Sequence, residues 1–106
     1  DSNARISMIE EMRWLEYAQR LTREERGVCI DPSGSVATAL LDASTKNGAR
    51  CLGISAGSIE AGKLADFAVI DLDHPQLAGA SDENLAAAIC CGADNSIVKK
   101  TIIAGE

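Results

Sequence analysis

Gly57-Ser58-Ile59-Glu60-Ala61-Gly62-Lys63-Leu64-Ala65-Asp66-Phe67-Ala68-Val69-Ile70-Asp71 decides how the chain is read. Two glycines frame a turn, and the turn feeds a short run of apolar residues. Alternate side chains of a strand point to opposite faces. Phe67 and Val69 on one side, Ala68 and Ile70 on the other, are all apolar. A strand over Asp66–Leu72 is therefore expected to be covered on both faces, as strands inside α/β proteins are.

Working back from this strand, the spacing predicts a long helix over about Ile6–Thr22. Met8, Met12 and Leu15 form one row, and Trp14, Ala18 and Leu21 another. Together they cover about half the circumference at roughly 100° per residue. Glu10, Arg13, Glu16 and Arg20 fall on the opposite face, with Glu16 and Arg20 in the favourable i, i+4 order. Asp1-Ser2-Asn3 offers short polar side chains for the start of this helix. Gly27 closes the region, and Asp31-Pro32-Ser33-Gly34 is a turn. A second helix runs over about Ser35–Lys46 and buries Val36, Leu40 and Leu41. Asn47-Gly48 is expected to end it in a left-handed cap, with a short helical turn over Ala49–Leu52 afterwards.

Forward of the strand, Asp73-His74-Pro75 is a loop. Ser81 is expected to cap a third helix, with Asp82 and Glu83 in its first turn and Gly92 at its end. Ile97–Ala104 is a final strand. Two strands are too few for a self-sufficient sheet. The order helix, helix, strand, helix, strand does not close on itself, so both ends are expected to continue into something larger.

The 106 residues leave room for one small domain. Hydrophobic residues make up 46%, which argues against disorder, and only one Trp, one Tyr and one Phe contribute rings. A net charge of −6 disfavours nucleic acid and anionic membrane as partners. No apolar run approaches the roughly 20 residues of a spanning helix. Cys29, Cys51, Cys90 and Cys91 match no zinc or redox spacing, and reduced, buried thiols in a cytoplasmic protein are expected.

Three segments in order carry a family resemblance. They are Thr45-Lys-Asn-Gly-Ala-Arg-Cys-Leu-Gly53, Gly57-Ser-Ile-Glu-Ala-Gly-Lys-Leu-Ala-Asp66, and Val98-Lys-Lys-Thr-Ile-Ile-Ala-Gly105. This succession resembles the C-terminal part of the metal-dependent amidohydrolases. The resemblance implies an α/β fold: residues 1–50 as the last helices of a (β/α)8 TIM barrel, and residues 51–106 as part of a small β-sandwich with a short helix. Asp1-Ser-Asn and the helix Ile6–Leu21 look most like the formimidoylglutamate deiminase branch. That branch removes the imino nitrogen of N-formimino-L-glutamate as ammonia during histidine breakdown. Deaminases of guanine, cytosine and triazines share the later motifs, and a non-catalytic, self-associating domain is a third reading.

On residue type alone, Asp1 is a terminal surface aspartate or a helix cap. The resemblance gives it a different role, as the aspartate that follows the eighth barrel strand. It would ligate zinc in the intact enzyme and handle the proton of the zinc-activated water. Ser2 and Asn3 would orient it by hydrogen bonds, although capping explains them equally well. Nothing identifies substrate-binding residues. The chain has one histidine, so by itself it is expected to bind no zinc and catalyse nothing. His74 reads as a solvated loop residue, Asp66 and Asp71 as acceptors of turn amides, and Lys63 as a turn residue. Glu10 and Glu11 read as a solvated helix face and Trp14 as packing. The partners expected are a small-molecule substrate for the intact enzyme and a second copy in a homodimer or other self-association.

Overall fold

The computed structural model describes residues 4–106. Helix α1 spans Met8–Arg23. Ser7 begins it, with extended backbone and a hydroxyl that accepts from the Glu10 amide at 3.3 Å. One of the four unpartnered amides of the first turn is thereby satisfied. The helix closes at Glu24, which takes the left-handed conformation.

Helix α2 covers Val36–Asp42 and is capped by the Ser35 hydroxyl, which accepts from Thr38. Asn47-Gly48 does not end it. The backbone widens into a π turn over Ala43–Asn47 and runs straight on into α3, Gly48–Leu52. Gly48 has φ −59°, an ordinary helical value. Hydroxyls of Ser44 and Thr45 donate to the Leu41 carbonyl at 3.0 and 2.6 Å, so the widened turn keeps that acceptor paired. The left-handed cap comes five residues later at Gly53, φ 68°.

Strand β1 is Phe67–Ile70 and β2 is Val98–Ile102. They pair antiparallel, Phe67 opposite Ile102, with a register shift between Val69 and Ile70. Between them lie 3-10 turns at Pro75–Leu77 and Asn95–Ile97 and a short helix α4, Leu85–Ala87, which widens into a π turn over Ala88–Gly92. Ser81 does not cap α4 with its side chain. Its carbonyl accepts from Asn84 and Leu85 in a separate turn, so Asp82 and Glu83 precede the helix.

The core joins Ile9 and Met12 of α1, Ala37 and Leu40 of α2, and Leu77, Cys90, Ala93 and Ile97 from the turns. Ile70 and Val98 bring the strand pair onto its edge. Coverage of β1 is incomplete: Phe67 and Ile70 are half-buried, whereas Ala68 and Val69 are exposed. Of the large residues on the predicted apolar face of α1, Met12 is buried, but Met8, Trp14, Leu15 and Leu21 are exposed. Among the described residues no helix is long and apolar enough to cross a membrane.

Candidate functional site

Asp1, Ser2 and Asn3, the residues to which the sequence assigns metal and orienting roles, lie outside the described residues. Shortly after them in the chain, Arg5 forms an ion pair with Glu10 at 3.1 Å, and both line a shallow depression of about 430 Å³ with Ala4, Glu11 and Trp14. Glu10 is therefore a paired residue of the first turn rather than a freely solvated one. Trp14 is not core packing here, being 62% exposed.

A heavily engaged carboxylate among the described residues is one that the sequence placed on the solvent face. Glu16 is fully buried. Its Oε1 accepts from Arg20 Nε at 2.7 Å and from the amides of Gly27 and Val28 at 3.0 and 3.2 Å. Its Oε2 accepts from the Cys29 amide at 2.7 Å. Burial alone would raise the carboxyl, but the hydrogen bonds from Arg20, Cys29 and Val28 outweigh it and hold it at about 2. Arg20 also stacks on Tyr17, 5.3 Å from the ring centre. This arrangement pins residues 27–29 to the middle of α1. The signal was present in the sequence: position 16 continues the row of Ile9 and Met12.

Arg13 was also assigned to solvent, and the structure turns it inward. Its Nε donates to the Cys90 carbonyl at 3.2 Å, and its Nη2 donates to the Ala93 carbonyl. It thereby partners carbonyls at the end of the π turn after α4, where an arginine suits the helix dipole.

The remaining polar residues behave as structural parts. Asp66 accepts from the Ala104 amide at 2.8 Å, and Asp71 from the Asp73 amide at 3.3 Å. His74 Nδ1 accepts from the Gln76 amide at 3.3 Å and starts a 3-10 turn. Lys63 donates to the Ser58 hydroxyl at 2.5 Å and pairs with Glu60 at 3.4 Å, closing the glycine-framed turn. Gly57 explains that frame. Its φ is 87°, and a Cβ would lie 2.6 Å from the Thr45 carbonyl oxygen. Only glycine lets this turn lie against the π turn of the second helix.

The four cysteines are free. Cys90 is buried, and desolvation pushes its thiol up to about 11. Cys29 is half-buried, whereas Cys51 and Cys91 are exposed, contrary to the expectation of buried thiols. Among the described residues no three His, Cys, Asp or Glu side chains come together in a way that could hold a metal ion. The described residues therefore do not fit a zinc centre.

A second feature is an apolar cleft of about 460 Å³ between the start of α1, the π turn after α2 and the two paired strands. Met8, Ile59, Phe67, Ala68, Ile70 and Val98 supply its apolar walls.

The amidohydrolase family model matches residues 1–106. The chain is 35% identical to the formimidoylglutamate deiminase of Pseudomonas aeruginosa, over all of this chain and 24% of that protein. It is 33% identical to a 5-methylthioadenosine/S-adenosylhomocysteine deaminase of Natronomonas pharaonis, over 99% of this chain and 22% of that protein. It is 34% identical to a 5'-deoxyadenosine deaminase of Methanococcus maripaludis, over 99% of this chain and 23% of that protein. The chain thus spans about a quarter of the length of these relatives. With three ordered motifs, a family model matched end to end and relatives aligned across nearly all its residues, this chain belongs to the amidohydrolase family.

Proposed function

We propose that this chain is the C-terminal portion of a cytoplasmic deiminase that hydrolyses N-formimino-L-glutamate to N-formyl-L-glutamate and ammonia. In this reading, residues up to about 50 complete a (β/α)8 barrel, and the rest returns strands to a small β-sandwich. The observation that carries it is the 35% identity to the P. aeruginosa formimidoylglutamate deiminase across the whole chain. The likeness of the Asp1–Leu21 segment to that branch adds support. In the reaction a water oxygen bonds to the formimino carbon, the bond from that carbon to the terminal nitrogen breaks, and the nitrogen leaves as ammonia.

Zinc in the intact enzyme would supply an electrophilic centre for that water, and Asp1 is the residue of this chain we assign to it. Among the described residues no cluster of side chains could hold that ion. What they supply is support. Ser7 fixes the start of α1, while Glu16 and Arg13 lock its body to residues 27–29 and to the turn after α4. The helix that follows the assigned aspartate is thereby held at three points.

A second reading keeps the reaction type and changes the substrate. The adenosine-type deaminases match this chain at 33% and 34% identity, close to the first relative. Ammonia release by the purified polypeptide of the relatives' length separates the two. Turnover of N-formimino-L-glutamate, lost in Asp1→Asn, is the expected result. Turnover of 5'-deoxyadenosine or S-adenosylhomocysteine instead would move the substrate assignment to the second reading.

A further inference from the structure

The Ser7 hydroxyl makes two bonds at the start of α1. It accepts from the Glu10 amide, as a cap does, and it donates to Asn95 Oδ1 at 2.9 Å. Capping needs only the first of these. The second joins residues 88 positions apart, and Ser7 is only 3% exposed. It ties the entry of α1 to the 3-10 turn that leads into β2.

The Asn95 side of this contact is itself braced. Asp94 caps the turn, with its Oδ1 accepting from the Ser96 amide at 2.8 Å. Gln76 holds Asp94 twice: its Nε2 donates to Asp94 Oδ2 at 3.1 Å, and its Oε1 accepts from the Asp94 amide at 3.0 Å. The Asp94 carboxyl is held low first by the Ser96 hydroxyl and amide, then by Gln76, and the charge of Arg5 adds to them. The turn at residues 94–95 therefore acts on the chain ahead of α1 through Arg5 as well as through Ser7.

We propose, resting on the deiminase reading, that Asn95 acts through Ser7 as a positioning residue: it fixes where the chain that carries Asp1 enters α1. Only residues 2–6 separate Asp1 from Ser7. A reacting group displaced by about 1 Å loses roughly 10²-fold in rate. Working side chains need supports that are themselves locked by packing and hydrogen bonds, and the Gln76–Asp94 pair locks this one. A segment assigned to the small β-sandwich thus sets geometry for the barrel.

The test uses the polypeptide of the relatives' length, with ammonia release followed across N-formimino-L-glutamate concentrations. Asn95→Ala and Ser7→Ala should each lower kcat at least about tenfold and leave KM within about twofold. The double variant should be within about twofold of the slower single one, because both changes break the same bond. Asn95→Asp keeps an oxygen to accept from Ser7 and should recover kcat to within about threefold of the unaltered enzyme. Lys63→Ala, which loosens the glycine-framed turn, controls for destabilisation and should keep kcat. Amide hydrogen exchange over residues 8–11 should quicken about tenfold in Asn95→Ala and stay unchanged in Lys63→Ala.

Asn95 is exposed, so its truncation leaves the core intact. An unchanged kcat in Asn95→Ala, or losses that multiply in the double variant, would overturn the inference. So would unchanged exchange over residues 8–11, a result that needs no turnover. An unaltered polypeptide that releases no ammonia from N-formimino-L-glutamate would overturn the substrate reading alone, and the same ratios are then taken on 5'-deoxyadenosine. Silence on both substrates would overturn the reading and the inference together.

Discussion

Glu16 is the residue on which the most local order depends. It accepts three backbone amides and one guanidinium, all from one buried carboxylate. Glu16→Ala would strand those amides, and an unpartnered buried donor costs about 1–3 kcal/mol. A loss of roughly 3 kcal/mol by chemical denaturation is expected. Arg20→Ala should cost less, because its partner keeps three amides. The pH dependence comes from the same contacts. Glu16 is lowered from 4.5 to about 2, and Asp94, bonded first by the Ser96 hydroxyl, is lowered from 3.8 to about 2. Depressed carboxyls stabilise the fold above their unfolded values and lose that contribution on protonation. Stability should therefore hold above about pH 4.5 and fall progressively between there and pH 2, with a shallower fall in Glu16→Gln. Gly57→Ala is expected to cost at least about 2 kcal/mol, since it adds both a positive-φ penalty and a collision with the Thr45 carbonyl.

Among the elements, α1 was the most legible and also the most misassigned. Its existence and length follow from the spacing of Met8, Met12, Leu15 and of Trp14, Ala18, Leu21, and Met8–Arg23 lies close to the expected span. Its burial does not. A sequence records which positions share a helix face, but not which part of a wide apolar face finds a partner within the same chain. The narrow row Ile9–Met12–Glu16 went inward, and Trp14, Leu15 and Leu21 stayed out. The charged Glu16 hid its place in that row, because its burial is made tolerable by Arg20 together with the distant amides of residues 27–29. The second helix failed differently. Asn47-Gly48 has the residue types of a cap, yet hydroxyls of Ser44 and Thr45 satisfy the widened turn and carry the helix on to Gly53. The strands were expected in the right places, and their antiparallel partnership depends on the chain between them. The assignment of a metal role to Asp1 rests only on resemblance, since one aspartate has no chemistry until its partners converge, and Asp1 lies outside the described residues. At this scale, Ser7→Ala removes the α1 cap and should lower stability by about 1 kcal/mol in the same denaturation assay.

As a whole the molecule carries much uncovered apolar surface for its size. Its radius of gyration is 14.5 Å, whereas a compact domain near this length has about 13 Å. Trp14 is 62% exposed and Leu21 78%. Burying a large apolar side chain is worth roughly 1.5–3 kcal/mol, against net domain stabilities of about 5–15 kcal/mol. The chain alone should therefore melt at low temperature over a broad range, followed by circular dichroism. A sharp cooperative melt of a monomer would contradict the view that its apolar faces belong against the rest of an enzyme.

That view is tested most directly by assaying ammonia release from N-formimino-L-glutamate with two samples side by side, this chain alone and the polypeptide of the relatives' length that contains it. The account expects no turnover from the first and turnover from the second. Turnover by the 106 residues alone, or none by the longer polypeptide on this substrate, would contradict it.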